Sequence, residues 1–116
     1  MKFGKLIRQK RESLLQTDRS YSLRQVASRI GVQPSFLSKI ERGEEVSVSE
    51  EKITALAKEL GLEPDILLAM NGKVSKEIQN IIRKRPELFT QLIRELSNMP
   101  DNAILRIVRE VRDGNW

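Results

Sequence analysis

Apolar residues recur every three or four positions along most of the chain, the spacing that places them on one face of an α-helix. The pattern predicts an all-α fold, with five amphipathic helices first and three further amphipathic stretches after them. The predicted helices cover residues 2–15, 23–30, 34–42, 50–60 and 64–70, and the later stretches cover residues 75–85, 86–98 and 100–114. Asn71 and Gly72 form a turn signal between the two groups, so we expect two regions, residues 1–72 and residues 73–116.

The ends of the second helix carry the clearest local signals. Ser22, followed three residues later by Gln25, indicates a capping box, in which the serine hydroxyl accepts from a first-turn amide and the glutamine reaches back. Gly31 then supplies the left-handed backbone that ends a helix. The apolar residues between these ends share one face and must be buried, whereas Arg24 and Arg29 point away from it.

The third helix begins directly after this turn. Gln33 precedes Pro34, whose fixed φ and missing N–H suit the first helical position. The inward residues are Phe36, Leu37 and Ile40, and the outward residues are Ser35, Ser38, Lys39 and Arg42. A helix with short hydroxyls and long cations on its outer side can lie in the major groove of DNA, where each base pair presents a different pattern of donors and acceptors.

Several of these residues also match a known sequence pattern in order and spacing. The pattern has a hydroxylated cap, an apolar-alanine pair, Gly-Val at the turn and a serine-containing segment that ends in Ile-Glu-x-Gly. The matching residues are Ser22, Val26-Ala27, Gly31-Val32, Ser35, Ser38 and Ile40-Glu41-Arg42-Gly43. The chain therefore resembles the helix-turn-helix of the phage-repressor-like family, also called the XRE family. Including Phe3–Leu14 and Ile53–Leu68, the resemblance covers roughly the first 70 residues.

The resemblance implies a five-helix, lambda-repressor-like DNA-binding domain with a C-terminal helical extension for dimerisation. It implies that Arg11 pairs with Glu41 and ties the first helix to the end of the third; the alternative is two separate surface charges. Our hypothesis for base reading is a set of four residues, Gln33, Ser35, Ser38 and Lys39. Our hypothesis for phosphate binding is Ser22, Arg24, Arg29 and Arg42.

The connection between the first two helices leaves two interpretations open. Residues 16–21 form a polar segment that is longer than the usual turn of the family. In one interpretation Arg19 reaches a phosphate from this segment, which adds it to the phosphate-binding candidates. In the other, the segment is structural and Tyr21 covers Phe36.

Positive charge is concentrated on the part of the chain that contains the helix-turn-helix. Residues 1–43 carry ten Lys or Arg and three acids (+7), residues 44–72 carry two and seven (−5), and residues 73–116 carry nine and six (+3). A basic segment of this kind is the electrostatic footprint of a phosphate-binding face. Glu44 and Glu45 directly follow the third helix, so we expect their loop to point away from DNA or to limit affinity.

Composition argues against several other functions. The 116 residues contain no cysteine and no histidine, which removes disulfides, zinc sites built from those residues, and nucleophiles or bases of those types. No acidic pair resembles a catalytic pair, so we predict no enzyme, no metal and no cofactor. The sequence has neither an apolar run of about 18 residues nor a signal-peptide pattern. We therefore expect a cytoplasmic protein without a membrane segment.

The stretches after Lys73 carry more apolar helix surface than a five-helix domain needs. These apolar residues are Val74, Ile78, Ile81, Ile82, Leu88, Phe89, Leu92, Ile93, Leu96, Ile104, Leu105, Ile107, Val108 and Val111. We expect part of this surface to contact a second copy, because helix-turn-helix proteins gain specificity by reading two half-sites as dimers. The alternative is a three-helix cap on the same monomer.

The sequence therefore predicts a regulator of transcription that binds double-stranded DNA sequence-specifically. In this interpretation it is a repressor that acts as a homodimer on a palindromic operator. The alternative is an antitoxin, whose N-terminal half binds its own operator while the C-terminal helices bind and neutralise a toxin.

Overall fold

Helices make up almost all of the regular structure. The computed structural model describes residues 2–114 and 116, and apart from one 3₁₀ turn at Arg19–Tyr21 every regular element in them is an α-helix, which confirms the all-α prediction. The helices are α1 (Phe3–Leu15), α2 (Leu23–Ile30), α3 (Pro34–Glu41), α4 (Glu50–Leu60), α5 (Pro64–Met70), α6 (Lys76–Lys84), α7 (Pro86–Leu96) and α8 (Asp101–Asp113). None of the described helices is long and apolar enough to cross a membrane.

The ends of α2 are formed by the residues that the sequence indicates. The Ser22 hydroxyl accepts a hydrogen bond from the Gln25 amide at 3.2 Å. The Ser22 amide donates to the carbonyl of Arg19 at 3.2 Å, so the second half of the predicted capping box, in which Gln25 reaches back to that amide, is wrong. At the other end Gly31 has φ +75°, and the chain turns sharply into α3.

The chain divides into two compact units, Met1–Ser75 and Lys76–Trp116. The first unit contains α1 to α5, and each of these helices contributes to one aliphatic core. The core residues are Ile7, Val26, Ala27, Ile30, Leu37, Ile40, Val48, Ile53, Leu56, Ala57, Leu60, Leu67 and Leu68. Because α3 buries Leu37 and Ile40 and packs against both α1 and α2, its position is fixed by contacts on its inner side.

The second unit contains α6, α7 and α8, of which α6 packs against α7. Among the residues described in these three helices, none is buried. Large apolar side chains lie at the surface, including Leu88 (64 % exposed), Ile93 (54 %) and Val111 (60 %). Since amphipathic helices gain most of their stability by burying an apolar face, this unit carries apolar surface beyond what its own packing uses.

Candidate nucleic-acid interface

A buried ion pair joins α1 to the end of α3. Arg11 Nε lies 2.7 Å from Glu41 Oε2, and Arg11 Nη2 lies 2.9 Å from Glu41 Oε1. The two side chains are only 8 % and 5 % exposed, and Arg11 Nη1 also donates to the Tyr21 carbonyl at 3.2 Å. The hydrogen bond with Glu41 raises the pKa of Arg11 above its ordinary value. The pair therefore sets the orientation of α3 relative to α1 through two parallel hydrogen bonds.

The outer side of α3 carries the residues proposed to read bases. Gln33 is the N-cap of the helix, and its side chain is exposed, as are those of Ser35 and Lys39. Ser38 is partly buried and accepts a hydrogen bond from Arg42. Lys39 forms no ion pair with any residue in the described part of the chain. Its ammonium is thus available to a ligand without displacing a carboxylate.

An open groove crosses from α2 to the start of α3. It has a volume of about 630 Å³ and is lined by Arg24, Ser28, Val32, Gln33, Pro34 and Ser35. The structure thus brings one of the predicted phosphate-binding arginines next to two of the predicted base-reading residues. Arg24 is exposed, and within residues 2–114 and 116 it has no carboxylate partner.

Two other predicted phosphate-binding arginines differ in their surroundings. Arg29 Nε lies 2.7 Å from Glu59 Oε2 on α4, and its guanidinium lies over the Tyr21 ring, 5.4 Å from the centroid. The Arg29 side chain is 32 % exposed, so Arg29 is held between Glu59 and Tyr21. Arg19 lies exposed on the 3₁₀ turn and forms no ion pair with the residues described. Sequence reasoning missed the partner of Arg29 because Glu59 lies on another helix.

Arg42 connects the outer side of α3 to the acidic loop that follows it. Glu44 Oε2 lies 2.7 Å from Arg42 Nε and 2.6 Å from Arg42 Nη2, while Arg42 Nη1 donates to the Ser38 hydroxyl. The Arg42 and Glu44 side chains are 52 % and 47 % exposed. The carboxylate therefore occupies guanidinium donors that would otherwise be open to an anionic ligand. The sequence signal that could have indicated this contact is Glu44, which follows Arg42 at the end of the helix by two residues.

Sequence comparison places the chain in a known family. The model of the helix-turn-helix family matches residues 7–67, more than half of the 116-residue chain. The chain belongs to the helix-turn-helix family. No curated protein is similar enough to the chain to count as a relative. A chain of the solved SinR protein/SinI protein complex is similar in fold, with 20 % sequence identity and a TM-score of 0.50 over 97 % of each chain.

The helix-turn-helix consists of α2, the turn at Gly31 and α3, which is its recognition helix. The family assignment makes the protein a DNA-binding regulator of the XRE type. In such a protein the recognition helix must be held rigidly, because its side chains have to meet base edges in a fixed register. Here the core side chains of α3 and the Arg11–Glu41 pair provide that support.

A close approach of two helices also supports the recognition helix, and sequence reasoning did not identify it. Gly4 is buried on α1, on the same face as Ile7 and Arg11. A Cβ added at Gly4 would overlap the carbonyl oxygen of Ile40 and lie 3.2 Å from its carbonyl carbon. The backbone of α1 can therefore reach the end of α3 only because this residue has no side chain.

Proposed function

We propose that the protein is a repressor that binds a palindromic operator as a homodimer, with α3 in the major groove. The observation that carries this proposal is the contrast between the two sides of α3. Its inner side is fixed by Leu37, Ile40 and the buried pair of Glu41, whereas its outer side presents Ser35 and Lys39 to solvent. A helix whose inner side is fixed by packing and whose outer side is polar is suited to insertion into the major groove of DNA.

The outer residues divide into base-reading and phosphate-binding roles. Lys39 donates to acceptors on a guanine edge, and the small side chains of Ser35 and Ser38 let the helix backbone approach the bases, with Gln33 at the helix start. The phosphate-binding residues are Ser22, Arg24, Arg29, Arg42 and Arg19. Among the described residues Arg24 and Arg19 have no carboxylate partner, whereas Arg29 and Arg42 must exchange one for a phosphate.

The homodimer is supported by the second unit. Its described residues leave apolar side chains of α6, α7 and α8 at the surface, and a second copy would cover them. Dimerisation also supplies the second half-site contact that a single recognition helix lacks. The same apolar surface would suit a second candidate function, that of an antitoxin whose C-terminal helices bind a toxin, and the similar solved chain is part of a complex of two proteins.

Replacing Lys39 tests the assignment of the recognition helix. We expect Lys39→Ala to weaken binding to a preferred site by about 1–3 kcal/mol and to relax the preference at one base pair. The preferred site is obtained by selecting a random-sequence duplex pool with the wild-type protein, and affinities are measured by fluorescence anisotropy. Lys58→Ala, an equal loss of charge at an exposed position of α4, is the matched control and should have a smaller effect. Unchanged affinity and an unchanged selected sequence for Lys39→Ala would show that α3 does not read bases.

Replacing Glu44 tests whether the acidic loop limits DNA affinity through Arg42. We expect Glu44→Gln to tighten binding to a random-sequence duplex by about two- to fivefold and to steepen the salt dependence by about one phosphate contact, since Arg42 is released. Glu45→Gln removes the same charge from an exposed neighbour that has no ion pair within the described residues, and it should have a smaller effect.

A double-mutant comparison separates release of Arg42 from a general charge effect. In an Arg42→Gln background, Glu44→Gln should no longer tighten binding more than Glu45→Gln does. If the two glutamate substitutions are equivalent in the wild-type background as well, Glu44 acts only as one negative charge among others, and the contact with Arg42 has no role in binding.

A further inference from the structure

Helix α8 carries a wider apolar arc than its own unit covers. At 100° per residue its apolar side chains span about 200° of the helix circumference, whereas packing on one side needs an arc of about 100°. The residues of this arc are Ala103, Ile104, Leu105, Ile107, Val108 and Val111. On one side of the arc Ala103, Ile104 and Ile107 are partly buried. On the other side Leu105 is 52 % exposed and Val108 is 51 % exposed.

The exposed half of the arc follows a line along α8 that we call the outer seam. The outer seam consists of Asp101, Leu105, Val108 and Arg112, which are spaced by four, three and four residues. This is the spacing of the contact line between two packed helices. Asp101 and Arg112 are both exposed, and neither forms an ion pair with the residues that the structure describes. The seam therefore has an acid at one end, a base at the other and apolar residues between them.

We propose that the outer seam is the surface by which two copies of the chain associate, with their α8 helices antiparallel. A two-fold axis between Arg106 and Ile107 places each residue of the seam opposite a residue equally far from the axis. Leu105 then faces Val108 of the second copy, and Asp101 faces Arg112 of the second copy. One interface thus contains two apolar contacts in the middle and one opposite-charge contact at each end.

The charges at the two ends of the outer seam determine which helix can pack against it and whether that helix runs parallel or antiparallel to α8. A parallel pair would place Asp101 against Asp101 and Arg112 against Arg112 of the second copy, and like charges directly opposite are unfavourable. Only the antiparallel pair joins unlike charges at both ends. The pattern is self-complementary, so a second α8 supplies every contact that the seam requires. This inference rests on the homodimer of the proposed function and identifies where its two copies meet.

The charge-swap experiment measures dimer dissociation of the full chain by sedimentation equilibrium in the absence of DNA. We expect Asp101→Arg and Arg112→Asp each to raise the dissociation constant by about tenfold or more, because two opposite-charge contacts per dimer become repulsive. The double variant should return it close to the wild-type value. Both substitutions also place unfavourable charge at an end of α8. If they acted only by weakening the helix, the double variant would associate more weakly than either single variant, which would overturn the proposal.

Glu110→Arg is the matched control, because it makes the same charge change as Asp101→Arg on the same helix but outside the seam. Glu110 lies 3.2 Å from Arg106 in an exposed pair. We expect this variant to change the dissociation constant by less than about twofold. A loss as large as that of Asp101→Arg would overturn the seam, as would a dimer that neither single swap weakens. A wild-type chain that is monomeric at all concentrations would overturn the seam and the homodimer together, while the Lys39 experiment would still test DNA reading.

Discussion

Replacing Glu41 by Gln is expected to lower the free energy of unfolding by about 3 kcal/mol or more, because it leaves the guanidinium of Arg11 buried without a carboxylate. The substitution preserves the size of the side chain, so the loss reports on charge rather than on a cavity. Such a loss is a large part of the 5–15 kcal/mol by which a domain of ordinary stability is folded. Urea unfolding of the full chain, followed by far-UV circular dichroism, measures it.

Two controls show whether burial is the cause. Arg11→Met combined with Glu41→Leu should recover most of the lost stability, because a pair of apolar side chains leaves no charge uncompensated in the core. Glu12→Gln breaks an exposed ion pair with Arg8, in which both side chains are at least half exposed, and should change stability much less. If Glu41→Gln were no more harmful than Glu12→Gln, the buried pair would not be what holds α3 against α1.

The second large effect is expected for Gly4→Ala, which should destabilise the protein by about 1–3 kcal/mol. The added Cβ would overlap the carbonyl oxygen of Ile40, and since both groups belong to the backbone, α1 has to move away from the recognition helix. The sign of the effect is diagnostic, because alanine in place of glycine at an ordinary helix position stabilises by about 1 kcal/mol.

Thermal unfolding followed by circular dichroism measures this effect. A loss of this size corresponds to a decrease in Tm of roughly 4 °C or more for a domain of this length. Ser13→Ala, on the exposed side of α1, is a control in which the helix propensity improves without any close contact. A Tm for Gly4→Ala that rises as in this control would show that α1 and α3 are not in close contact at Gly4.

The limits of the helices could be predicted to within about two residues because most of the signals that set them are local. The Ser22 hydroxyl bonds three residues ahead, Gly31 and Gly61 adopt the left-handed conformation at helix ends, and Pro34 and Pro64 each occupy a first helical position. The periodicity of three and four predicts which face of each helix is inward, and in the first unit the core consists of those faces. Short-range chemistry thus suffices for the elements and for the composition of the core.

The contacts between side chains from different helices could not be predicted in the same way. Glu59 follows Arg29 by 30 residues in the sequence, and nothing in the spacing indicates that the two side chains meet. The pairing of Arg11 with Glu41 followed from the family resemblance and not from periodicity. Gly4 gave no signal, since a glycine in a helix reveals its role only when the neighbouring helix is in place. Periodicity also cannot tell whether an apolar face of α8 is covered by its own chain or by another.

The contacts that fix the inner side of α3 leave its outer residues free to change during evolution. Stability resides in Leu37, Ile40 and Glu41, whereas Ser35 and Lys39 contribute nothing to the core. Mutations at these two outer positions can therefore accumulate or be introduced by design without unfolding the domain. With the base-reading role proposed for these positions, a few exchanged side chains would give the same framework new target sequences, so that duplicated copies would diverge in what they recognise while keeping one architecture.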